Sequence, residues 1–159
     1  MPLLDRTGAR PDLFSRDDPE ADALIVPLAA LDAAQAERRN AQRLGVDIPN
    51  TLVPGLAARV RDVDLVAVAF PKFSDGRGFS VAKQLREEGY RGTLRASGAL
   101  IPDQFAFALQ CGFDEVEIDD ERLARQPVPQ WMHALTQIGE SYQEGSEPSI
   151  FALRAAARE

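Results

Sequence analysis

At 159 residues, with 45% of them hydrophobic, the chain has the length and composition of one soluble globular domain. A net charge of −7 and a sequence pI of about 4.8 argue against general binding of nucleic acids, which requires a basic face. A single cysteine excludes a disulfide within the chain, and no apolar run reaches the roughly 20 residues of a membrane span, so we expect a cytoplasmic protein that binds neither nucleic acid nor membrane.

The N-terminal region, residues 1–22, is polar and rich in turn-forming residues. We expect either a short hairpin there, with strands at 3–4 and 13–14, or a loose arm. An α/β domain follows over residues 23–143, in which short apolar runs alternate with segments of helical periodicity. The strands are predicted at 23–28, 46–48, 63–70, 93–96 and 113–118.

The alternation of strands and helices through short connections predicts βαβ units and one parallel sheet with helices on both faces. A helix is predicted over 31–44, another over 79–88, and a long last helix follows Pro129. Among the topologies that right-handed crossovers allow, we favour a flavodoxin-like fold with a five-stranded, mostly parallel, doubly wound sheet in the order 2-1-3-4-5. A half-barrel fragment is the alternative.

The predicted core lies on the central strands and on one stripe of the last helix. Its members are Val66, Val68, Leu85, Leu109, Phe113, Trp131, Leu135 and Ile138. A C-terminal tail is predicted over residues 144–159. Because its apolar cluster at 150–153 follows a Gly-Ser-Glu-Pro break, we expect the tail to be mobile or to dock on its own sheet or on another protein.

The stretch VDLVAVAFPKFSDGRGFS, residues 63–80, joins an apolar strand to a polar loop and a helix. Open α/β sheets bind ligands where a central strand ends and a helix begins, and Gly76 and Gly78 would let the backbone approach a ligand closely. The candidate ligand-binding residues at the ends of the third and fourth strands are Lys72, Asp75, Arg77, Ser80, Arg95, Ser97, Asp103 and Gln104.

Arginine presents planar donors that suit oxyanions, so we predict that Arg77 and Arg95 share a pocket for a small anion such as phosphate, sulfate, sulfite or a carboxylate. The alternative is structural. Asp75 then caps the helix or a turn, and Arg77 pairs with Asp75 or Asp103 to lock two loops together.

Metal and cofactor motifs are absent from the sequence. One cysteine and one histidine exclude a Cys/His metal cluster or an iron–sulfur site within the chain, and we interpret Cys111 as an inert thiol and His133 as solvent-facing. The acids between 114 and 121 are interpreted as a solvated acidic edge rather than a carboxylate site. The DGRGFS loop lacks the ending of a Walker loop and the third glycine of a dinucleotide fingerprint, so no cofactor is identified.

The run FPKFSDGRGFSVAKQLREEGYRGTLRASGALIPDQFAFALQCGFDEVEI resembles a bacterial family of uncharacterised proteins, a domain of unknown function, whose members are usually encoded beside the haem-containing sulfite reductase of assimilatory sulfur metabolism. The similarity is closest over residues 66–118, where FPKFSDGRGFS, LRASG and DQ followed by GFD carry it. Thr93 and Ala99 stand where acidic residues are usual, and Phe14 stands for a tryptophan.

The resemblance implies an accessory protein of assimilatory sulfite reduction that binds a small oxyanion or the sulfite reductase itself. The alternative is a small oxidoreductase or another enzyme that acts at the DGRGFS loop.

Overall fold

A computed structural model describes the backbone of residues 1–142 and the side chains of residues 1–137, so the expectations for the 144–159 tail and for Ile138 lie outside the described residues. The strands are β1 (Leu3–Asp5), β2 (Gly8–Arg10), β3 (Ala23–Pro27), β4 (Arg43–Ile48), β5 (Leu65–Phe70), β6 (Thr93–Gly98) and β7 (Glu115–Glu117). After a 3-10 turn (Leu28–Ala30), the helices are α1 (Leu31–Glu37), α2 (Leu56–Arg59), α3 (Arg77–Glu87), α4 (Pro102–Cys111), α5 (Asp120–Arg125) and α6 (Val128–Tyr142).

The seven strands form one mixed sheet in the order β2-β1-β7-β6-β5-β4-β3. Strands β3 to β7 are parallel and follow chain order, while the β1–β2 hairpin is antiparallel and adds to the sheet at β7. The predicted five-stranded, flavodoxin-like sheet with the order 2-1-3-4-5 is therefore wrong. Each crossover moves one strand further in the same direction, as in the half-barrel alternative, so the parallel strands have no point at which their order reverses.

The helices share one hydrophobic core with the even-numbered strand residues, such as Val46, Val66 and Leu94. Right-handed crossovers that all advance in one direction place their helices on one face of the sheet, so the prediction of helices on both faces is also wrong. The odd-numbered strand residues form what we call the second face. It carries a small apolar cluster, Ile25, Leu65 and Ala67, against which Phe14 packs.

Most of the predicted core is buried as expected. Val66, Val68, Leu85, Phe113 and Trp131 are fully buried, while Leu109 and Leu135 are half-buried against the same cluster. These positions follow from periodicity alone, which does not depend on strand order.

Two aspartates fix the register at the starts of strands. Asp64 accepts a hydrogen bond from the backbone N–H of Leu44 at 2.8 Å and pairs with Arg38. Asp114 makes the corresponding contacts with the N–H of Leu94, at 2.9 Å, and with an arginine of α3. Because each carboxylate accepts the N–H of the second residue of the neighbouring strand, a register slip would leave that N–H unpaired.

The helix predicted over 31–44 ends at Glu37, and residues 38–42 form a loop in which Ala41 has a φ of +66°. The left-handed conformation costs an L-residue about 1–2 kcal/mol, and glycine adopts it freely at an entropic cost of about 0.5–1 kcal/mol.

We therefore expect Ala41→Gly to raise the free energy of unfolding by up to about 1 kcal/mol, measured by urea denaturation. Ala33→Gly, at an exposed position inside α1, is the matched control and should lower it by about 0.5–1 kcal/mol. Equal losses in both variants would contradict the account of strain at Ala41.

Candidate functional site

The loop between β5 and α3 carries Lys72, Asp75 and Arg77. The Arg77 guanidinium forks onto Asp75, with Nε–Oδ1 at 2.9 Å and Nη2–Oδ2 at 2.7 Å. Asp75 also accepts a hydrogen bond from Nδ2 of Asn50, in the loop after β4, at 2.9 Å. The hydrogen bonds from Arg77 hold the pKa of Asp75 well below its usual range. Asp75 thus ties two loops together, as in the structural alternative, although the Arg77 side chain remains 65% exposed.

Of the two glycines in this stretch, Gly78 serves packing and Gly76 does not. A Cβ at Gly78 would lie 2.5 Å from Cζ of Phe70, so glycine is required there for the Phe70 ring to fit under α3. Gly76 has a φ of −82°, which any residue adopts. Asp75 accepts a hydrogen bond from the N–H of Arg77, the first residue of α3, at 3.3 Å, as the structural alternative predicted. Ser80 is exposed on the first turn of α3. The glycine at 78 is therefore explained by the core rather than by a ligand.

The start of α4 holds the same loop in place. Gln104 accepts a hydrogen bond from the Ile101 N–H at 3.2 Å and donates from Nε2 to the carbonyl of Phe73 at 2.7 Å. Asp103 is exposed beside it and takes part in none of the ion pairs seen among residues 1–137. Gln104 therefore joins the start of α4 to the loop that carries Lys72, Asp75 and Arg77.

Arg95 and Ser97 lie elsewhere, on the second face. The Arg95 side chain is only 1% exposed, with Nε 2.8 Å from Glu115 and both terminal nitrogens 3.0 Å from the oxygens of Asp12. Ser97 donates its hydroxyl to Glu117 at 2.9 Å. Odd-numbered residues of β6 point away from the helices, so Arg95 joins carboxylates that differ from the partner of Arg77. The structure therefore places the two arginines in separate ion-pair groups.

A charged cluster covers the second face beside Phe14. We define it as Asp12, Arg16, Asp47, Arg95, Ser97, Glu115 and Glu117. Strand register sets Asp47, Arg95 and Glu115 in one row and Ser97 beside Glu117 in the next. Arg16 bridges Asp47 and Glu117, each at 2.7 Å, over the small side chains of β5.

The cluster has four carboxylates and two guanidinium groups, a formal charge of −2, and each arginine is paired with two of the carboxylates. Burial disfavours the charged form of Arg95, but its hydrogen bonds to Asp12 and Glu115 outweigh that effect and raise its pKa. Burial raises the pKa of Glu115, which Arg95 opposes only in part. Burial also works against the charge of Glu117, but the hydrogen bond and charge of Arg16 outweigh it and leave the pKa below its ordinary value. Every buried polar side-chain atom of the described residues has a hydrogen-bond partner.

Sequence reasoning missed five of these seven residues, namely Asp12, Arg16, Asp47, Glu115 and Glu117. The solvated acidic edge expected near 114–121 is wrong for Glu117, which is 1% exposed, and Glu115 is half-buried. The signal was present, because charged or polar residues occupy alternate positions in 115–117 and 95–97. Such alternation is typical of a strand with one polar and one apolar face. Asp12 and Arg16 carried no local signal, since their partners come from distant strands.

An exposed surface lies over α3 and α4. Phe73 and Phe107 are 56% and 50% exposed, and the Phe107 ring contacts that of Phe79 at 4.9 Å between centroids. Lys72, beside Phe73 in the loop before α3, and Lys83, on α3, are the only lysines of the chain. Both are exposed and join none of the ion pairs among the described residues. We call Lys72, Phe73, Lys83 and Phe107 the aromatic–lysine surface.

Metal-binding side-chain groups and membrane-spanning helices were also sought among the described residues. Within residues 1–137, no group of three or more His, Cys, Asp or Glu side chains is arranged to hold a metal ion. None of the helices in the described part of the chain has the length and apolarity needed to cross a membrane.

Comparison with known proteins relates the chain to a bacterial family. The model of a family described as "Bacterial protein of unknown function (DUF934)" matches residues 45–150, more than half of the chain. A search of curated proteins found no match. The matched region includes the DGRGFS loop and the charged cluster apart from Asp12 and Arg16.

Glu115 and Glu117 should affect acid stability in opposite directions. The pKa of Glu117 is lower in the folded than in the unfolded state. Its stabilising contribution to the free energy of unfolding is therefore present above the unfolded pKa and is lost as the pH falls through the folded pKa. The pKa of Glu115 is higher in the folded than in the unfolded state. Its stabilising contribution to the free energy of unfolding is therefore present below the unfolded pKa and is lost as the pH rises through the folded pKa.

We expect Glu117→Gln to flatten the fall in unfolding free energy between about pH 6 and pH 3, and Glu115→Gln to steepen it. Urea denaturation over a pH series measures both slopes, and the two variants serve as controls for each other. Slopes that change in the same direction would contradict the assignment.

Proposed function

The chain belongs to the bacterial family of unknown function DUF934, and we propose that it is an accessory protein of assimilatory sulfite reduction that binds the sulfite reductase through the aromatic–lysine surface. The link to sulfite reduction is supported by the resemblance of residues 66–118 to proteins encoded beside that reductase. The binding role is supported by one structural observation, the exposure of Phe73 and Phe107.

Exposed phenylalanines of this kind suit a protein interface. Aromatic side chains are enriched at interfaces, where a few buried anchors carry most of the binding energy. Phe107 rests edge-on against Phe79, and the backbone of Phe73 is held by Gln104. Because both anchors are attached to ordered elements, binding would cost less conformational entropy than it would for a loose loop.

The loop chemistry favours binding over catalysis. Arg77, the strongest oxyanion donor of the DGRGFS loop, is already forked onto Asp75, and Asp75 also accepts from Asn50. A general acid or base needs a pKa near the working pH, whereas the pKa of Asp75 is held far below it. The alternative of an oxidoreductase or another enzyme at this loop therefore has less support.

Co-purification with the sulfite reductase encoded by the same genome tests the proposal. Phe73→Ser with Phe107→Ser should weaken the complex at least about tenfold, because a buried aromatic anchor contributes more than about 1 kcal/mol. The matched control is Leu13→Ser with Leu52→Ser, since these side chains are 67% and 56% exposed outside that surface.

The proposal is supported if the leucine double variant keeps the complex and the phenylalanine double variant loses it. A wild-type chain that does not bind the reductase would exclude the sulfite-reductase assignment. Equal loss in both double variants would exclude the aromatic–lysine surface as the interface.

A further inference from the structure

Arg95 is bound in this structure as an arginine binds a free carboxylate. Its Nη1 and Nη2 atoms donate to the two oxygens of Asp12, each at 3.0 Å, which is the bidentate geometry of arginine–carboxylate recognition. The remaining donor, Nε, donates to Glu115 at 2.8 Å, and this hydrogen bond fixes the orientation of the guanidinium. The fork is therefore oriented by the sheet and completed by a residue from outside it.

Asp12 belongs to a segment that crosses the second face without pairing as a strand. We call residues 11–16 the strap. The strap is anchored at Ser15, which exchanges backbone hydrogen bonds with Ala23 and Ile25 at 2.9 and 2.8 Å, and the β1–β2 hairpin anchors the chain before it. Asp12 lies between these anchors and next to Leu13, which is 67% exposed. The Asp12 carboxylate also accepts a hydrogen bond from the N–H of Phe14 at 3.0 Å, and the Phe14 ring packs on the second face. When Asp12 leaves Arg95, the bond to Phe14 can break as well, but the backbone hydrogen bonds of the sheet stay intact.

We propose that the Arg95 fork is a binding site for a small, singly charged oxyanion or carboxylate, and that Asp12 occupies it as an internal stand-in which the ligand displaces. The ligand replaces the Asp12 carboxylate with another group of the same charge, so the number of charges around Arg95 is unchanged. The proposal does not depend on a reductase partner.

The surrounding charges limit the ligand class. Glu115 and Glu117 lie on either side of the fork, with Glu117 3.9 Å from Arg95 Nη1, and Arg16 is already committed to Asp47 and Glu117. Like charges at such distances repel, so a doubly charged anion is disfavoured relative to a singly charged one. Formate, acetate and hydrogensulfite satisfy this requirement, and sulfate does not.

Asp12→Ala removes the stand-in and leaves the fork free to accept an added anion. We expect formate, acetate or hydrogensulfite to raise the Tm of this variant saturably, by a few degrees at about ten times Kd, with sodium chloride at equal ionic strength as the reference. Sulfate should have a smaller effect. Asp75→Ala is the matched control, because it removes the carboxylate of another forked arginine, Arg77, which is exposed.

The wild type tests displacement directly. Saturating formate should increase hydrogen–deuterium exchange of the strap amides while leaving that of β6 unchanged. If Asp12→Ala does not fold, Asp12→Asn keeps the shape and one acceptor and is tested in the same way. A saturable rise in Asp12→Ala that is lost in Asp12→Ala with Arg95→Met supports the site.

Three outcomes would overturn the proposal. The first is no saturable anion effect in either Asp12 variant, and the second is an effect that persists without Arg95. The third is a wild-type strap whose exchange does not change at anion concentrations that saturate the variant, because Asp12 would then be a permanent structural partner.

Discussion

The second face of the sheet depends on the guanidinium of Arg95, a charge held at mid-sheet and almost wholly withdrawn from solvent. Leaving such a charge unpaired costs about 3–5 kcal/mol, so carboxylates must reach it. Glu115 is supplied by strand register, whereas Asp12 is supplied only if the N-terminal segment crosses this face. The same crossing places Phe14 on the small apolar cluster, with its ring under the guanidinium of Arg43 at 4.7 Å. One pairing requirement therefore explains the path of the strap.

Apolar runs locate the five parallel strands to within a few residues, because burial under the helices requires them whatever the strand order. Strand order was not predictable from those runs, since a sheet wound in one direction and a doubly wound sheet bury the same helix-facing residues. The information lay instead in Arg95, Glu115 and Glu117. Strands covered by helices on both faces are nearly continuous in apolar residues, so charges at alternate positions indicate a sheet with helices on one side.

The candidate site shows the same division between local and distant signals. Asp75 and Arg77 are two residues apart in a polar loop, so the structural alternative, in which they pair with each other, was predictable from the sequence. Asp12 and Arg95 are 83 positions apart and meet only through the fold. The crevice from which a shared Arg77–Arg95 pocket was inferred needs a reversal of strand order. The sheet has none among its parallel strands, so the two arginines are held by separate groups of residues.

The two charged regions differ in how solvent reaches them, which gives them different physical roles. Lys72 and Lys83 are exposed, so their fields are screened over about 8–10 Å at physiological salt. The chain carries a net charge of −7, so the rest of its surface repels an acidic partner, and the two lysines cannot attract such a partner strongly. The lysine charges therefore affect the orientation of a bound partner more than its affinity, and the adjacent phenylalanines supply the contact energy. The Arg95 fork is shielded from salt, so there affinity and charge selectivity arise from the same group.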